Sequence, residues 1–255
     1  MSILEKKDIM KSDQIIEANN IHYENLYLNE ENFLRYPADW IVRFHNMFLR
    51  NNIPQGAKIL DYGCGSGNNS IFFMQKGYSV FGVDTTPSFK NLVSKNLKLY
   101  NIDKSAIDNF NSIDPYDVVL NFPSNHFDFI FSNQVLYYLP GEGHIKRVCC
   151  EIKRILRPDG YVFFTMMGPH NYYITHHTKQ LHGERIYEVR IEDKKHRLNG
   201  LRELIYIVKD EVDLCKLFDM FEPTTTGYFD EKMFDLHSIF HFIFVGKKTM
   251  TGDIK

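Results

Sequence analysis

The stretch from Lys58 to Asp84 constrains this chain more than any other. Lys58-Ile-Leu-Asp-Tyr62 has the composition of a short buried strand, and Gly63-Cys-Gly-Ser-Gly67 follows it directly. A helix is predicted from about Asn69 to Lys76, with Gly77 at its C′ position. Ser79-Val-Phe-Gly-Val83 reads as a second strand, which ends on Asp84. Strand, glycine-rich turn, helix and strand at this spacing form a βαβ unit, which implies a parallel sheet. Glycines at such a junction let backbone approach a ligand closely, and the helix N-terminus adds free N–H groups.

The alternation continues. Phe89 to Tyr100 is predicted helical, Phe110 to Ile113 a weak strand, and Phe127 to Phe131 a clear one. Ile145, Val148, Cys149, Ile152, Ile155 and Leu156 mark one face of an amphipathic helix. Pro158-Asp159-Gly160 reads as a turn and Tyr161 to Thr165 as the fifth strand. An irregular stretch rich in Tyr and His is expected after Met167, then a hairpin of 186–191 with 203–208 across Leu198-Asn199-Gly200. A helix over 210–221 and two last strands, 224–229 and 239–246, complete the chain as an antiparallel edge pair. The first 55 residues read as helical, with Pro37 in a first turn and Trp40, Ile41, Phe44, Met47 and Phe48 at helical spacing. The expected class is α/β: a doubly wound, mostly parallel sheet with an antiparallel C-terminal edge pair. A helical lid (1–55) precedes one domain (56–255) that carries an insert at about 170–207.

The glycine spacing selects among ligands. A dinucleotide loop starting at Gly63 needs glycine at position 68, which is Asn68. Starting at Gly65 needs it at position 70, which is Ser70. No Gly-Lys-Ser/Thr follows, so a triphosphate loop is excluded too. Asp84 at the second strand tip is placed to accept from the two hydroxyls of a ribose. The site therefore asks for an adenosine-like ligand without a pyrophosphate, and S-adenosylmethionine meets that description.

Four motifs in order carry a family resemblance: Ile59-Leu-Asp-Tyr-Gly-Cys-Gly-Ser-Gly67, Val80-Phe-Gly-Val-Asp84, Phe122-Pro-Ser-Asn-His-Phe-Asp-Phe-Ile-Phe-Ser132 and Arg154-Ile-Leu-Arg-Pro-Asp-Gly-Tyr161. In these the chain resembles the class I S-adenosylmethionine-dependent methyltransferases, from Lys58 to about Thr165, and the sheet is then of the Rossmann-like type. The resemblance implies that Gly63, Gly65 and Gly67, with Cys64 between them, cradle the methionine part of the cofactor. It implies that Asp61 orients the loop, that Asp84 and Thr85 take the ribose, and that Ser132 and Asn133 lie beside the cofactor. For the adenine amine, Asp114 and Asp117 are equally placed. Arg35-Tyr36-Pro37 and Ser132-Asn-Gln-Val-Leu-Tyr-Tyr-Leu139 resemble small-molecule methyltransferases, including those of bacterial surface-polysaccharide clusters.

Composition bears on the acceptor. With 30 Lys+Arg against 32 Asp+Glu, the chain carries no broad basic field for nucleic acid. Asn133-Gln134-Val135-Leu136 also departs from the Asn/Asp-Pro-Pro-Tyr/Phe of base-amine methyltransferases. A small polar acceptor (a saccharide or a phosphate-bearing metabolite) is therefore expected. The alternatives are a nucleic-acid or protein methyltransferase and a non-catalytic binding protein. His170 after strand five and Tyr138 after strand four are the candidate bases. Arg35, Tyr36, Tyr137, Tyr172, Tyr173 and His176 are the candidate acceptor contacts, within a chain that is 15% aromatic. The 4 cysteines form no CxxC pair and no apolar run reaches membrane-spanning length, so a reduced, cytoplasmic protein without bound metal or membrane partner is expected.

Overall fold

The computed structural model describes residues 16–17, 19–21, 23–27, 33–182, 185–192, 194, 199–232 and 238–249. Strands β1 (Lys58–Tyr62), β2 (Ser79–Asp84), β3 (Phe110–Ser112), β4 (Phe127–Ser132), β5 (Leu156–Met167), β9 (Glu222–Phe229) and β10 (His241–Lys247) form one sheet. Its order is β3-β2-β1-β4-β5-β10-β9. The first five strands pair in parallel, and β10 pairs antiparallel with both β5 and β9. This is the doubly wound class that the strand–helix alternation implies. A sheet covered on both faces needs strands apolar on both faces. Ile59, Leu60, Phe127, Phe129, Ile130, Phe131, Phe163 and Phe164 are accordingly fully buried.

Helices α2 (Asn68–Gln75), α3 (Phe89–Leu99) and α4 (Glu142–Ile155) cover the sheet. On α3 the buried set Phe89, Leu92, Val93, Asn96 and Leu97 follows 3.6-residue spacing. The buried polar Asn96 ties two backbones together, donating to Ser66 O at 2.8 Å and Leu34 O at 3.1 Å.

Four expectations change. Helix α1 (Asp39–Phe44) is capped at Ala38, one residue after Pro37, and runs on through a π-helical stretch, His45–Leu49. The wider turn rotates the apolar face, so Met47 is 79% exposed although its spacing predicts packing. Strand β5 begins at Leu156, which pairs with Phe127, and Asp159 (φ 62°) sits in an irregular stretch before Tyr161 meets Phe129. The described residues directly after Met167 form a regular element: Asn171 caps the short α5 (Tyr172–His176) by accepting from Tyr173 N at 3.0 Å. Strand β6 (Thr178–His182) then adds to the predicted hairpin of β7 (Ile186–Arg190) and β8 (Arg202–Tyr206), giving a second, three-stranded sheet. Leu198 of the expected hairpin turn lies outside the described residues, as do residues 1–15 of the expected lid. Helix α6 (Glu211–Leu217) is shorter than its apolar pattern suggests, with Asp210 as its N-cap.

Candidate active site

The strand order reverses between β1 and β4, and ligands bind at the carboxyl ends of strands at such a point. A cavity of about 610 Å³ opens there. Gly63, Cys64 and Gly65 line it from the turn after β1, Asp84, Thr85 and Thr86 from the end of β2, and Asn133, Gln134 and Val135 from the end of β4.

The turn is built for close approach. Gly63 (φ 80°) and Gly65 (φ 52°) are left-handed, where a side chain is strained. A β-carbon on Gly63 would stand 2.4 Å from Val135 Cγ2, and one on Gly65 would stand 2.6 Å from the Tyr27 hydroxyl oxygen. Asp84 fixes the turn from the tip of the neighbouring strand β2. Its carboxylate accepts from Gly65 N at 2.7 Å, from Thr86 N at 2.9 Å and from Thr86 Oγ1 at 2.6 Å. Burial raises the Asp84 pKa, and these hydrogen bonds oppose the shift. Below the turn, buried Asp61 accepts from Ser70 Oγ at 2.6 Å. Its pKa is pushed up to about 7, first by burial and also by the charge of Asp84.

The N-terminal residues close the other side. Ile16, Asn19, Asn20, Tyr23, Leu26 and Tyr27 all line the cavity, a spacing that places them on one helical face. Thr85 Oγ1 donates to Asn20 Oδ1 at 2.8 Å, and Ser88 N donates to Glu24 Oε2 at 3.0 Å. Trp40 donates through Nε1 to Asn133 Oδ1 at 2.8 Å.

A family model described as a methyltransferase domain matches residues 29–204, well over half of the chain. The chain belongs to that family. Among curated relatives, Hemagglutinin 1 of Eikenella corrodens is 30% identical over 132 residues, which are 49% of this chain and 41% of that protein. Ubiquinone biosynthesis O-methyltransferase of Bordetella avium is 26% identical over 117 residues, 45% of this chain and 44% of that protein. The chain thus spans less than half the length of either relative. The crystal structure of an S-adenosylmethionine-dependent methyltransferase from Methanosarcina mazei matches with a TM-score of 0.61 at 22% identity. It covers 80% of this chain and 98% of its own, which shows a common fold. Family and fold make S-adenosylmethionine the cofactor.

The residues present fit that group. A bare glycine turn faces a carboxylate at a strand tip, and Ile113 and Pro115 supply apolar wall beyond β3 for a flat base. Asp84 is the one acidic residue among the described lining residues, which include no Lys or Arg, so a cationic sulfonium meets no like charge there.

Of the residues expected to hold the cofactor, Gly63, Cys64, Gly65, Asp84, Thr85 and Asn133 line the methyltransferase cavity, and the others do not. Cys64 faces away through its thiol, which packs with Phe89, Val93 and Phe110. Gly67 backs onto Val93, 3.1 Å from where its β-carbon would stand. Ser132 is buried beneath the site and donates to Tyr62 O at 3.1 Å. Asp114 and Asp117 are both turned into their own loop, accepting from Tyr116 N at 2.8 Å and Val119 N at 2.9 Å. Neither acid reaches the cavity wall; the apolar Ile113 and Pro115 do.

Of the expected acceptor contacts, Tyr36, Tyr137, Tyr138 and Tyr173 line the cavity. Arg35 is exposed, with its guanidinium 5.7 Å from the Phe33 ring centroid. Tyr172 packs on His176 at 4.7 Å, and the His176 ring is hydrogen-bonded to Thr175 Oγ1 at 2.7 Å; neither residue lines the cavity. His170, expected as a base, is exposed outside the wall with its ring edge-on to Phe240 at 5.4 Å. The chain leaves β5 outward, and the next residue, Asn171, is the one that turns in. The histidine on the wall is His241, at the start of β10, and nothing in its sequence setting singles it out.

Behind the tyrosines lies Glu203 of β8, 6% exposed, its pKa pushed up to about 8 by burial. Asp61 and Glu203 both hold protons in the fold at a pH where the unfolded chain has lost them. Their contribution to stability is full below about pH 4 and disappears as pH rises through about 7 and 8. Thermal unfolding of the cofactor-free protein should therefore show a Tm that falls by roughly 10 °C between pH 6 and 9. Glu203→Gln should make that fall shallower. A Tm equally pH-dependent in wild type and variant would exclude Glu203 as a source.

Proposed function

We propose that this protein transfers the methyl group of S-adenosylmethionine to a hydroxyl or amine of a small, uncharged acceptor. The carrying observation is the wall beyond Asn133: Tyr137, Tyr138, Leu139, Met167, Asn171, Tyr173, Ile239 and His241, apolar and aromatic with scattered polar atoms. A phosphate or carboxylate moved from water into this space would lose hydration and meet no Lys or Arg among the described lining residues. That argues against the phosphate-bearing acceptor expected from the sequence. A neutral saccharide or a flat hydroxylated ring suits the tyrosine faces. A surface-polysaccharide precursor rests on the resemblance of Arg35-Tyr36-Pro37 and Ser132 to Leu139 alone. Oxygen as the nucleophile is favoured by the O-methyltransferase named among the relatives.

In this reading Gly63, Cys64 and Gly65 hold the cofactor through backbone, Asp84 and Thr85 its ribose, and Asn133 the boundary with the acceptor. The bound cofactor supplies a methyl group already activated on a sulfonium, so the protein's task is chiefly alignment, which contributes on the order of 7–11 kcal/mol. Residues 1–55 serve as the lid, supported by the helical face from Ile16 to Tyr27 on the cavity. A cavity closed by that face favours a small molecule over a polymer. No described helix is long and apolar enough to cross a membrane.

The test is a screen with methyl-labelled cofactor against metabolite pools separated by charge. Label should enter the neutral pool. Label confined to the anionic pool, or to protein or RNA, would overturn the reading.

A further inference from the structure

His241 and Tyr137 form a hydrogen-bonded pair on the cavity wall that neither the family assignment nor the cofactor explains. Each is 2% exposed. The imidazole is oriented from three sides. Its Nδ1 is hydrogen-bonded to the Ile239 carbonyl, its Nε2 lies 3.2 Å from the Tyr137 hydroxyl, and its face stacks on Phe229 at 5.1 Å and 13°. Phe229 in turn stacks on Trp40 at 3.7 Å and 8°.

This geometry fixes the tautomer. A carbonyl oxygen only accepts, so Nδ1 carries the ring proton. Nε2 then presents a lone pair, and the Tyr137 hydroxyl donates to it. Of the two lone pairs on the Tyr137 oxygen, one is engaged by the Tyr138 side chain, which hydrogen-bonds to it, and one remains; the two rings lie 4.4 Å apart, centroid to centroid. A proton accepted by the Tyr137 oxygen therefore has a path onward to Nε2.

We propose that Tyr137 and His241 are the proton-accepting pair for the methyl acceptor, Tyr137 at the acceptor hydroxyl and His241 as the final base. The proposal rests on the hydroxyl-acceptor reading above. Its balance is complete. The acceptor oxygen forms a bond to the methyl carbon, and the carbon–sulfur pair stays with the departing sulfur. The acceptor O–H proton passes to the Tyr137 oxygen while the Tyr137 proton passes to His241 Nε2. The O–H bonding pair stays on the acceptor oxygen. No further reactant is needed.

Burial lowers the His241 pKa to about 4, opposed by the Ile239 carbonyl and by Asp230, so the ring is neutral and able to accept. So weak a base suffices, because the acceptor oxygen becomes oxonium-like as it forms its third bond, to the methyl carbon, and then holds its proton very loosely. The titratable groups around the pair are Tyr138, Tyr173 and Glu203 on the Tyr137 side and Asp230 on the His241 side.

Two measurements test this. In the ¹⁵N-histidine NMR spectrum of the protein with S-adenosylhomocysteine, His241 should be the Nδ1–H tautomer, and Tyr137→Phe should shift its Nε2 resonance toward an unbonded lone pair. An Nε2–H tautomer, or no shift in that variant, overturns the pair. With an acceptor from the screen, Tyr137→Phe and His241→Gln should each lower kcat at least about 100-fold. The S-adenosylhomocysteine Kd should stay within threefold of wild type, and the solvent isotope effect on kcat should change. Tyr137→Phe deletes one oxygen only, so it keeps the test alive if the histidine variant fails to fold. Unchanged kcat in Tyr137→Phe overturns the proposal. If wild type methylates no acceptor, the proposed function fails while the spectrum still decides the proton pair.

Discussion

Asp84→Ala loses at least about tenfold in affinity for S-adenosylhomocysteine by calorimetry. The carboxylate organises the turn, accepting from Gly65 N at 2.7 Å and from both donors of Thr86. Hydrogen bonds to a charged group are worth about 1.5–3 kcal/mol each, and 1.4 kcal/mol is a factor of ten in Kd. A carboxylate has about four acceptor positions, and the Thr85 N–H is a fourth donor beside Gly65 N and the two of Thr86, so a ribose hydroxyl would take the position that Thr86 Oγ1 releases by turning. Alanine removes the ligand contact and frees the Gly65 N–H from its fixed direction. Asp84→Asn separates these effects. It keeps the volume but turns one acceptor into a donor, so it should also bind weakly, with a Tm nearer wild type. Undiminished affinity in both variants would remove Asp84 from the ribose site. His170→Ala, on the exposed face beyond β5, should leave both affinity and turnover unchanged.

The parts of this site that sequence makes legible are those dictated by backbone. The left-handed Gly63 and Gly65 must be glycine, and Asp84 must end a buried strand, so spacing alone finds them. Side-chain direction is a different matter. Asp114 and Asp117 are acids near the expected place, yet each caps its own turn two residues on, a local hydrogen bond that competes with any ligand. His170 and Asn171 are neighbours, and which of them faces the cavity is decided by the direction in which the chain leaves β5. His241 is the extreme case. It opens an apolar strand and reads as edge-strand core. Its place on the wall follows from register, opposite Met167 on one side and Phe229 on the other, which brings it to Tyr137 across 104 residues of chain. Strand β6 has no signature in the sequence for a related reason: Thr178-Lys-Gln-Leu-His182 has no apolar alternation, and its pairing to β7 defines it.

Trp40→Ala should lower both stability and turnover. The indole is half-buried where α1 meets the end of β9, flat against Phe229 at 3.7 Å, and it donates to Asn133 Oδ1 at 2.8 Å. Removing a fully buried Trp costs about 3–5 kcal/mol, and a half-buried one roughly half to two-thirds of that. At about 2–4 °C per kcal/mol for a chain of this size, Tm should fall by roughly 5–10 °C. The functional loss has a separate cause. Asn133 lines the cavity at the tip of β4, and the indole N–H holds its amide in one orientation. Phe229 carries the stack on to His241, so losing the indole also loosens the ring that orients the imidazole. Trp40→Phe divides the two contributions. It retains most of the stacking and should recover most of the Tm, but it lacks the N–H and leaves Asn133 unheld. Measured by calorimetry and by kcat/KM, Trp40→Phe should be near wild type in stability and impaired in turnover. If it were restored in both, the indole would act through packing alone and the Asn133 bond would carry no function.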